Sequence, residues 1–373
     1  MGIVNLFADM TYEGGASING PFLGAMGASA GAIGIIAGIG EFLGYAIRLP
    51  AGYLADKTGR LWLLTFLGYA INLFAVPALA LAGNLPMAAV LVIAERVGRA
   101  IRKPTVETML SYTTGHLGKG WVYGLNTALD ETGSMLGPAL VGLMLYQHGG
   151  QSYRLGYAVL IVPTLLALVA LALARKKFGR PADLDLGHTA PAKGFTKSYW
   201  LFMAAGACLA AGLMSFELIS FHLAQSGVVK EHWIPWFLAI ASGIGALASL
   251  GFGWMYDRVG LPVVLVAVAL SSLFPPFVFL GGFWLALFGL VLWGIGYATQ
   301  DTLLKAVVAG LLPEGRRNLA FGLFYTGYGV GWLIGSTTTG LLYQHSLFAV
   351  MAFSMIAQWV ALPLFVLARR AGK

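Results

Sequence analysis

Ionisable side chains recur inside long apolar segments of this chain. They are Asp9, Glu13, Glu41, Arg48, Glu95, Arg96, Arg99, Arg102, Asp130 and Glu131. In a low-dielectric surrounding, each such charge has to be paired, hydrated or removed by protonation. Six of them are acidic and four are basic, so complete pairing leaves two carboxylates over. The chemistry that these residues favour is therefore reversible binding of protons or small ions.

The spacing of these residues places them on single faces of helices. Asn5, Asp9, Glu13 and Ser17 recur every four residues, which makes a polar stripe along one side of a helix. Three other segments have polar faces of the same kind, formed by Glu41, Tyr45 and Arg48; by Glu95, Arg99 and Arg102; and by Tyr123, Asn126, Asp130 and Ser134. We expect four helices to direct charge toward a common space.

Two interpretations of these charges are open, namely proton or substrate binding and structural ion pairing. Pairing is favoured for Lys103 with Glu107 and for Asp301 with Lys305, since each is an i,i+4 pair of opposite sign. The residues for which we favour a functional role, because the polar stripe is too long for one fastening pair, are Asp9, Glu13, Arg96 and Arg99. The residues that fit either interpretation are Glu41, Asp130, Glu131 and Glu217.

The composition indicates the class of protein. Apolar residues make up 58% of the chain and charged residues only 10%, whereas about a quarter of the residues of soluble domains are charged. Apolar runs of about 20 residues, long enough to cross a bilayer, follow one another with short loops. The sequence predicts an all-α polytopic membrane protein. A single cysteine, Cys208, excludes a disulfide framework, and we expect no metal and no cofactor.

Twelve transmembrane helices are predicted, with both termini in the cytoplasm. Their approximate bounds are 3–26, 30–55, 61–83, 86–112, 120–147, 154–175, 198–224, 233–256, 262–280, 282–311, 319–343 and 347–368. The inner loops and tail then hold fifteen Lys and Arg residues against two in the outer loops, as the positive-inside rule requires. The net charge of +8 therefore reflects membrane sidedness, not nucleic-acid binding. Short loops without an Asn-x-Ser/Thr sequon favour a prokaryotic plasma membrane.

A polar linker divides the chain into two similar halves. We predict an N-terminal six-helix bundle (1–175), a cytoplasmic linker (176–197) and a C-terminal six-helix bundle (198–373). The segment 10–13 (MTYE) matches 214–217 (MSFE) at an offset of 204, and five glycines of helices 4 and 5 match glycines of helices 10 and 11 at an offset of 198. These matches predict two six-helix repeats related by an axis along the membrane normal.

A charged motif follows helix 2 and returns after helix 8. Residues 52–60 read GYLADKTGR, and residues 253–260 read GWMYDRVG. We predict that each forms a tight turn between two membrane helices, in which the glycine allows close approach and the aspartate pairs with a cation or caps a helix. The motif resembles the loop between helices 2 and 3 of the major facilitator superfamily, and the resemblance covers nearly the whole chain.

The resemblance implies roles for further residues. In that superfamily the loop acts as a cytoplasmic latch, which here would consist of Gly52, Asp56, Gly59, Arg60, Asp257 and Arg258. Helix 5 resembles an antiporter signature, although Val141 replaces one glycine of its final pair. The signature residues are Gly124, Gly133, Gly137, Pro138 and Gly142. Generic close packing of small residues is the alternative explanation for these glycines. Leu261 stands where Arg60 stands in the first copy, so the second latch is expected to be weaker.

Residues and resemblance together predict a secondary transporter that works by alternating access and is not an enzyme. The favoured function is proton-coupled export of a small amphipathic or cationic compound. Asp9 and Glu13 would be the leading carboxylates, with Arg96 and Arg99 linking protonation to the conformational change. The expected partners are a small-molecule substrate, protons and the lipid bilayer, and we expect a monomer.

Rival functions are open at this point. Uptake of an anionic solute would use Arg96, Arg99 and Arg102 as a clamp, and a lipid flippase is a third possibility. A membrane enzyme is disfavoured because the sequence lacks a Ser-His-Asp set and a phosphate-binding Gly-Lys-Ser/Thr motif. A channel is disfavoured because repeated bundles with latch-like turns imply moving halves.

Overall fold

The computed structural model is built of α-helices throughout the part of the chain that it describes. The structure describes the backbone of residues 1–117, 119–178, 196–299 and 317–371. Within these ranges it also describes the side chains and their surroundings, except at residues 56, 110–124, 257, 298–299 and 317–321. The helices are α1 (Gly2–Ala25), α2 (Ala30–Ala46), α3 (Arg48–Thr58), α4 (Leu61–Ala78), α5 (Leu85–Leu117), α6 (Lys119–His148), α7 (Tyr153–Val159), α8 (Ile161–Lys177), α9 (Lys197–Leu213), α10 (Phe216–Ser226), α11 (Trp233–Val259), α12 (Leu261–Ser271), α13 (Phe274–Leu280), α14 (Phe283–Thr299), α15 (Arg317–Tyr343) and α16 (Leu347–Ala371).

The described helices follow the predicted spans. Seven of them, counting kinked pairs as one, are long and apolar enough to cross a membrane within the described residues. Four predicted spans are divided into two helices each. In three of these, the second helix carries a proline within its first three residues, namely Pro50 in α3, Pro163 in α8 and Pro275 in α13. Proline lacks an N–H and is tolerated in the first turn, so it fixes the point where a new helix begins.

The predicted charged turns are shorter in the structure. Residues 52–58 belong to α3, which ends at Gly59 with a left-handed φ of 63°. Helix α11 likewise continues to Val259, and Gly260 follows with a φ of 75°. The prediction that the whole motif forms the turn is therefore wrong. The helix continues until a glycine adopts the left-handed conformation that commonly ends helices.

The chain divides into two compact units. The first consists of Met1–Gly27, Leu43–Gly187 and Lys230–Ala239, and the second of Ala28–Phe42, His188–Val229 and Ile240–Lys373. This division follows the repeat, except that a part of α2 groups with the second unit and the start of α11 with the first. The proposed domain boundaries stay a prediction, and most of the predicted linker lies outside the described residues.

The first unit packs α1 against α6 through glycines of the predicted helix 5 signature. A Cβ atom on Gly133 would collide with the carbonyl oxygen of Leu6, and one on Gly137 with that of Met10. Gly142 contacts the indole of Trp236, which would lie 2.7 Å from an added Cβ. Small residues allow backbones to approach in this way in membrane helix pairs. Close packing, the alternative explanation for these glycines, is therefore present at Gly133 and Gly137, and the antiporter signature stays a prediction.

The second unit repeats this packing between α9 and α15. A Cβ atom on Gly331 would collide with the carbonyl oxygen of Ala207, and one on Gly335 with that of Ala211. Gly331 and Gly335 correspond to Gly133 and Gly137 at the predicted offset of 198. The residues of α9 that these glycines approach, Ala207 and Ala211, correspond to Leu6 and Met10 of α1 at an offset of 201 residues. The sequence match between 10–13 and 214–217 gave an offset of 204 instead. Glu217 is therefore not the packing equivalent of Glu13.

Candidate functional site

Charged side chains of the first unit meet between α1 and α5. Arg102 Nη2 lies 4.0 Å from Asp9 Oδ1. Asp9 is only 7% exposed and Arg102 only 3%, so the pair interacts in a surrounding that water screens weakly. The Asp130 carboxylate and the Lys103 ammonium group also interact electrostatically with the Asp9 carboxylate, and Lys103 lies 4.0 Å from Glu107. The predicted Lys103–Glu107 pair is thus present.

A second group of ion pairs surrounds Glu95. Its carboxylate lies 3.1 Å from Arg99 Nη2 and 3.4 Å from Arg96 Nε. Glu95 and Arg96 are both buried. The sequence predicted that Glu95 and Arg99 share a helix face, but it gave Arg96 and Arg99 the task of tuning Asp9 and Glu13. The structure also engages both arginines with Glu95, which was not among the residues singled out as a site.

Asn72 of α4 joins the two groups. Its amide nitrogen donates a hydrogen bond of 2.9 Å to Glu95 Oε1, and its amide oxygen accepts one of 3.2 Å from Arg102 Nε. Asn72 is completely buried. A single asparagine can bridge an anion and a cation because its amide carries both donors and an acceptor. Sequence reasoning missed Asn72, and the available signal was an amide side chain in an otherwise apolar helix.

Two tyrosines hold the arginine side chains. The guanidinium of Arg99 lies 4.3 Å from the ring centroid of Tyr12, and that of Arg102 lies 4.4 Å from that of Tyr69. Cations within about 6 Å of an aromatic face are stabilised by the ring quadrupole. The tyrosines therefore fix the position of both guanidinium groups within the helix bundle.

Hydrogen bonds connect Asp130 to this network. Asn126 donates to Asp130 Oδ2 at 3.0 Å and accepts from Asn5 Nδ2 at 3.1 Å. Tyr69 in turn donates its hydroxyl proton to Asn5 Oδ1 at 2.5 Å. Side chains from α1, α4, α5 and α6 thus form one polar site. The polar faces of α1, α5 and α6 were predicted to contribute to a common space, whereas the contribution of α4 was not predicted.

The other predicted residues lie at different places. Glu13 and Glu131 are half-buried. Glu41 belongs to the second unit. Arg48 lies with its guanidinium 4.5 Å from the Tyr45 ring. Glu41 was expected to share the common space with the other charges, and its role stays a prediction.

In the second unit, Glu217 stands in the first turn of α10, next to a break in the predicted seventh span. Met214 is the only non-glycine residue with a positive φ among the described residues, at 55°. Glu217 is 3% exposed and Ser215, which precedes α10, is equally buried. The break was not predicted, because neither proline nor glycine occupies residues 213–217.

The carbonyl groups released by this break accept hydrogen bonds from side chains of two other helices. Trp293 Nε1 donates to the carbonyl oxygen of Leu213 at 2.8 Å and to that of Met214 at 3.2 Å. Gly212 accepts from Ser354 Oγ at 2.5 Å and from Gln358 Nε2 at 3.2 Å. An interrupted membrane helix requires such donors because water cannot reach its carbonyls. The break is therefore built into the packing of this unit.

The break gives a testable prediction. Trp293→Phe removes the indole donor and leaves buried carbonyl oxygens unsatisfied, so we expect a loss of about 1–3 kcal/mol in stability. The matched control is Trp332→Phe, since the buried Trp332 indole has no hydrogen-bond partner among the described residues. Thermal unfolding of the purified variants measures the difference. Equal losses for both substitutions would contradict the role of the hydrogen bond.

Residues of the predicted latch occupy the ends of α3 and α11. A Cβ on Gly52 would lie 3.6 Å from Pro104 Cβ, an ordinary contact distance, so the structure has room for a methyl group here. Arg60 is exposed, and Arg258 stacks at 3.3 Å over the ring of Trp254. The side-chain surroundings of two predicted latch residues, Asp56 and Asp257, are outside the part of the chain that the structure describes, as are those of Gly124 from the predicted helix 5 signature.

No group of three or more His, Cys, Asp or Glu side chains among the described residues is placed to hold a metal ion. His222 accepts or donates a hydrogen bond of 2.9 Å with the Tyr343 hydroxyl and packs 4.7 Å from the Phe279 ring centroid.

These observations define a multi-pass membrane protein with a buried polar site inside a helix bundle. The model of the Major Facilitator Superfamily matches residues 1–261 and 201–373, so the chain belongs to this superfamily. The predicted fold is confirmed: an all-α polytopic membrane protein with two six-helix repeats. The chain is a multi-pass transporter of the plasma membrane and not an enzyme.

Relatives and solved structures agree with this membership. An uncharacterized protein of Mycobacterium tuberculosis is 34% identical over 97% of this chain and 90% of its own length. An uncharacterized MFS-type transporter of Methanocaldococcus jannaschii is 25% identical over 93% of this chain and 88% of its own length. The fold resembles a peptide transporter (TM-score 0.78, 15% identity, 99% of this chain and 93% of that one) and a nucleoside transporter (TM-score 0.75, 12% identity, 98% of each).

Proposed function

We propose that this transporter exports a small amphipathic or cationic compound in exchange for protons. The observation that supports the proposal most directly is the buried Asp9 carboxylate, which lies 4.0 Å from the Arg102 guanidinium and is close enough to the Asp130 carboxylate for the two to interact. Two like charges in a surrounding that water screens weakly favour neutralisation of one of them. Binding of a proton or of a cationic substrate would provide this neutralisation, so that the two would compete for the same site.

The competition between proton and substrate would provide the exchange. A proton that occupies the acidic site would leave it when a cationic substrate binds, and the reverse exchange would follow on the other side of the membrane. Alternating access would carry each form across, since the two repeats can rock about a site near the bilayer midplane. Glu13 and Glu131, on the same helices as Asp9 and Asp130, are further candidates for proton binding.

The ion pairs of the arginines favour export of a cationic compound over uptake of an anion. Arg96, Arg99 and Arg102 each contact a carboxylate, Glu95 or Asp9. An anionic substrate would have to displace these internal partners before the guanidinium groups could hold it. The latch residues and the glycines of helix 5 would then serve the conformational change and helix packing, not substrate recognition.

The experiment uses the purified full chain in liposomes that enclose a pH-sensitive dye. Cationic, zwitterionic and anionic compounds are added on one side, and labelled lipids test flipping. Proton movement opposite to a cationic compound would support the proposal. Proton movement in the same direction as an anion would replace it with uptake. Lipid movement alone would replace it with a flippase.

A further inference from the structure

A cavity of about 260 Å³ opens among helix ends of the second unit. The ends of α11 and α16 and the starts of α9 and α12 surround it. Its walls are largely apolar and include the buried residues Phe202 and Phe365, which we call its bottom, and its polar lining residues are Ser198, Tyr256 and Arg369. By the distribution of basic residues, these helix ends are on the cytoplasmic side of the membrane.

The bottom of the cavity is built from well-packed residues. Phe202 is 2% exposed and Phe365 is completely buried, and their ring centroids are 5.1 Å apart. Ser198 Oγ donates a hydrogen bond of 2.7 Å to the carbonyl oxygen of Ala368 and ties the start of α9 to the end of α16. The cavity is therefore formed by fixed elements and does not depend on one movable side chain.

The helix ends around the cavity, which we call its rim, carry a positive excess, and Arg369 is the basic residue among them that lines the cavity itself. Lys197, Arg258, Arg369 and Arg370 lie on these helix ends, against one acidic residue, Asp257. Exposed tryptophans stand at the same level, with Trp254 61% and Trp200 46% exposed. Tryptophan is enriched where hydrocarbon meets the headgroup region. The cavity thus combines an apolar interior, a basic rim and the depth of the lipid headgroups.

We propose that this cavity binds the phosphoglycerol headgroup of an anionic phospholipid from the cytoplasmic leaflet. Arg369 faces the phosphate, with which a guanidinium forms charge-assisted hydrogen bonds, and the Tyr256 hydroxyl is a second donor. The headgroup and the first methylene groups would enter the cavity, while the acyl chains stay in the bilayer.

The test measures binding of phosphatidylglycerol to the purified full chain by native mass spectrometry, with phosphatidylcholine as the zwitterionic comparison. Arg369→Gln should weaken phosphatidylglycerol binding about fivefold, the effect of one basic residue at an anionic surface. Arg370→Gln is the matched control, because it removes the same charge from the next residue, which does not line the cavity. We expect it to bind phosphatidylglycerol almost as the unchanged protein does.

Three results would overturn the proposal. Equal weakening by Arg369→Gln and Arg370→Gln would indicate a diffuse basic surface. Equal binding of phosphatidylcholine and phosphatidylglycerol would exclude recognition of an anionic headgroup. Displacement of phosphatidylglycerol by glycerol 3-phosphate at similar concentration would indicate a site for a soluble phosphate compound. Thermal unfolding in phosphatidylcholine verifies that each variant is folded.

Discussion

Asp9→Asn is expected to abolish substrate accumulation driven by a pH gradient, while exchange of substrate for substrate continues. Asparagine has nearly the shape of aspartic acid but does not ionise, so it resembles the protonated form at every pH. The variant would keep the packing of α1 against α6 and lose the reversible charge near Arg102 and Asp130.

The expected size of the effect on substrate accumulation follows from the driving force that the pH difference provides. With one proton exchanged per monovalent cationic substrate, the exchange moves no net charge, and a pH difference of about one unit can sustain about a tenfold concentration ratio of the substrate. The Asp9→Asn variant should reach a substrate concentration ratio of about one. Accumulation in liposomes with an imposed pH difference gives this ratio directly, and counterflow of labelled substrate without a pH difference measures exchange.

Glu107→Gln is the control for Asp9→Asn. Glu107 is on α5, its side chain is 59% exposed, and it lies 4.0 Å from Lys103. An exposed pair of this kind contributes little to stability, so this variant should behave like the unchanged protein. If Asp9→Asn still accumulated substrate tenfold, Asp9 would not be the coupling group, and Glu13 and Asp130 would be the next residues to test.

The fold could be predicted from the sequence because the bilayer imposes strong constraints. A membrane span requires a long apolar helix with every backbone group satisfied, and the positions of lysine and arginine orient it. The helix faces were also predictable. Asn5 and Asp9 recur at a spacing of four, and both contribute to the polar site of the first unit.

The sequence could not predict which charged side chains form ion pairs, because the pairing depends on how neighbouring helices are rotated about their axes. Glu95, Arg99 and Arg102 share a face of α5, but Glu95 meets Arg99 while Arg102 reaches Asp9. Asn72 links both pairs from a helix that the sequence presents as almost purely apolar. Its importance follows from α4 and α5 packing closely, where a Cβ on Gly98 would collide with the Asn72 backbone nitrogen.

The second unit shows another limit of sequence matching. The resemblance of MTYE to MSFE suggested that Glu13 and Glu217 are equivalent, but the glycine contacts correspond at an offset three residues shorter. The interruption at Met214 lies between the matched packing and Glu217. Side-chain donors such as Trp293 satisfy that interruption from distant parts of the chain, and no local sequence signal reports such donors.

Arg102→Met should destabilise the protein strongly, and adding Asp9→Asn should restore much of the loss. Methionine keeps an unbranched side chain against Tyr69 but removes the charge that lies 4.0 Å from Asp9. Removing one partner of a buried ion pair typically costs about 3–5 kcal/mol, because the other charge stays buried and uncompensated. Thermal unfolding in detergent compares both single variants and the double variant.

The double variant separates a structural role of Arg102 from its role in coupling. In the double variant neither partner of the Asp9–Arg102 pair is left buried without the other, so the stability losses should not add. Coupling to protons should nevertheless stay absent, since the Asp9 carboxylate, the leading coupling group, is gone. Lys103→Met is the control, because its 35% exposed side chain is screened by water and its removal should cost little. Additive losses in the double variant would mean that Asp9 and Arg102 stabilise the bundle independently, and the shared charge balance proposed for Asp9, Asp130 and Arg102 would be wrong.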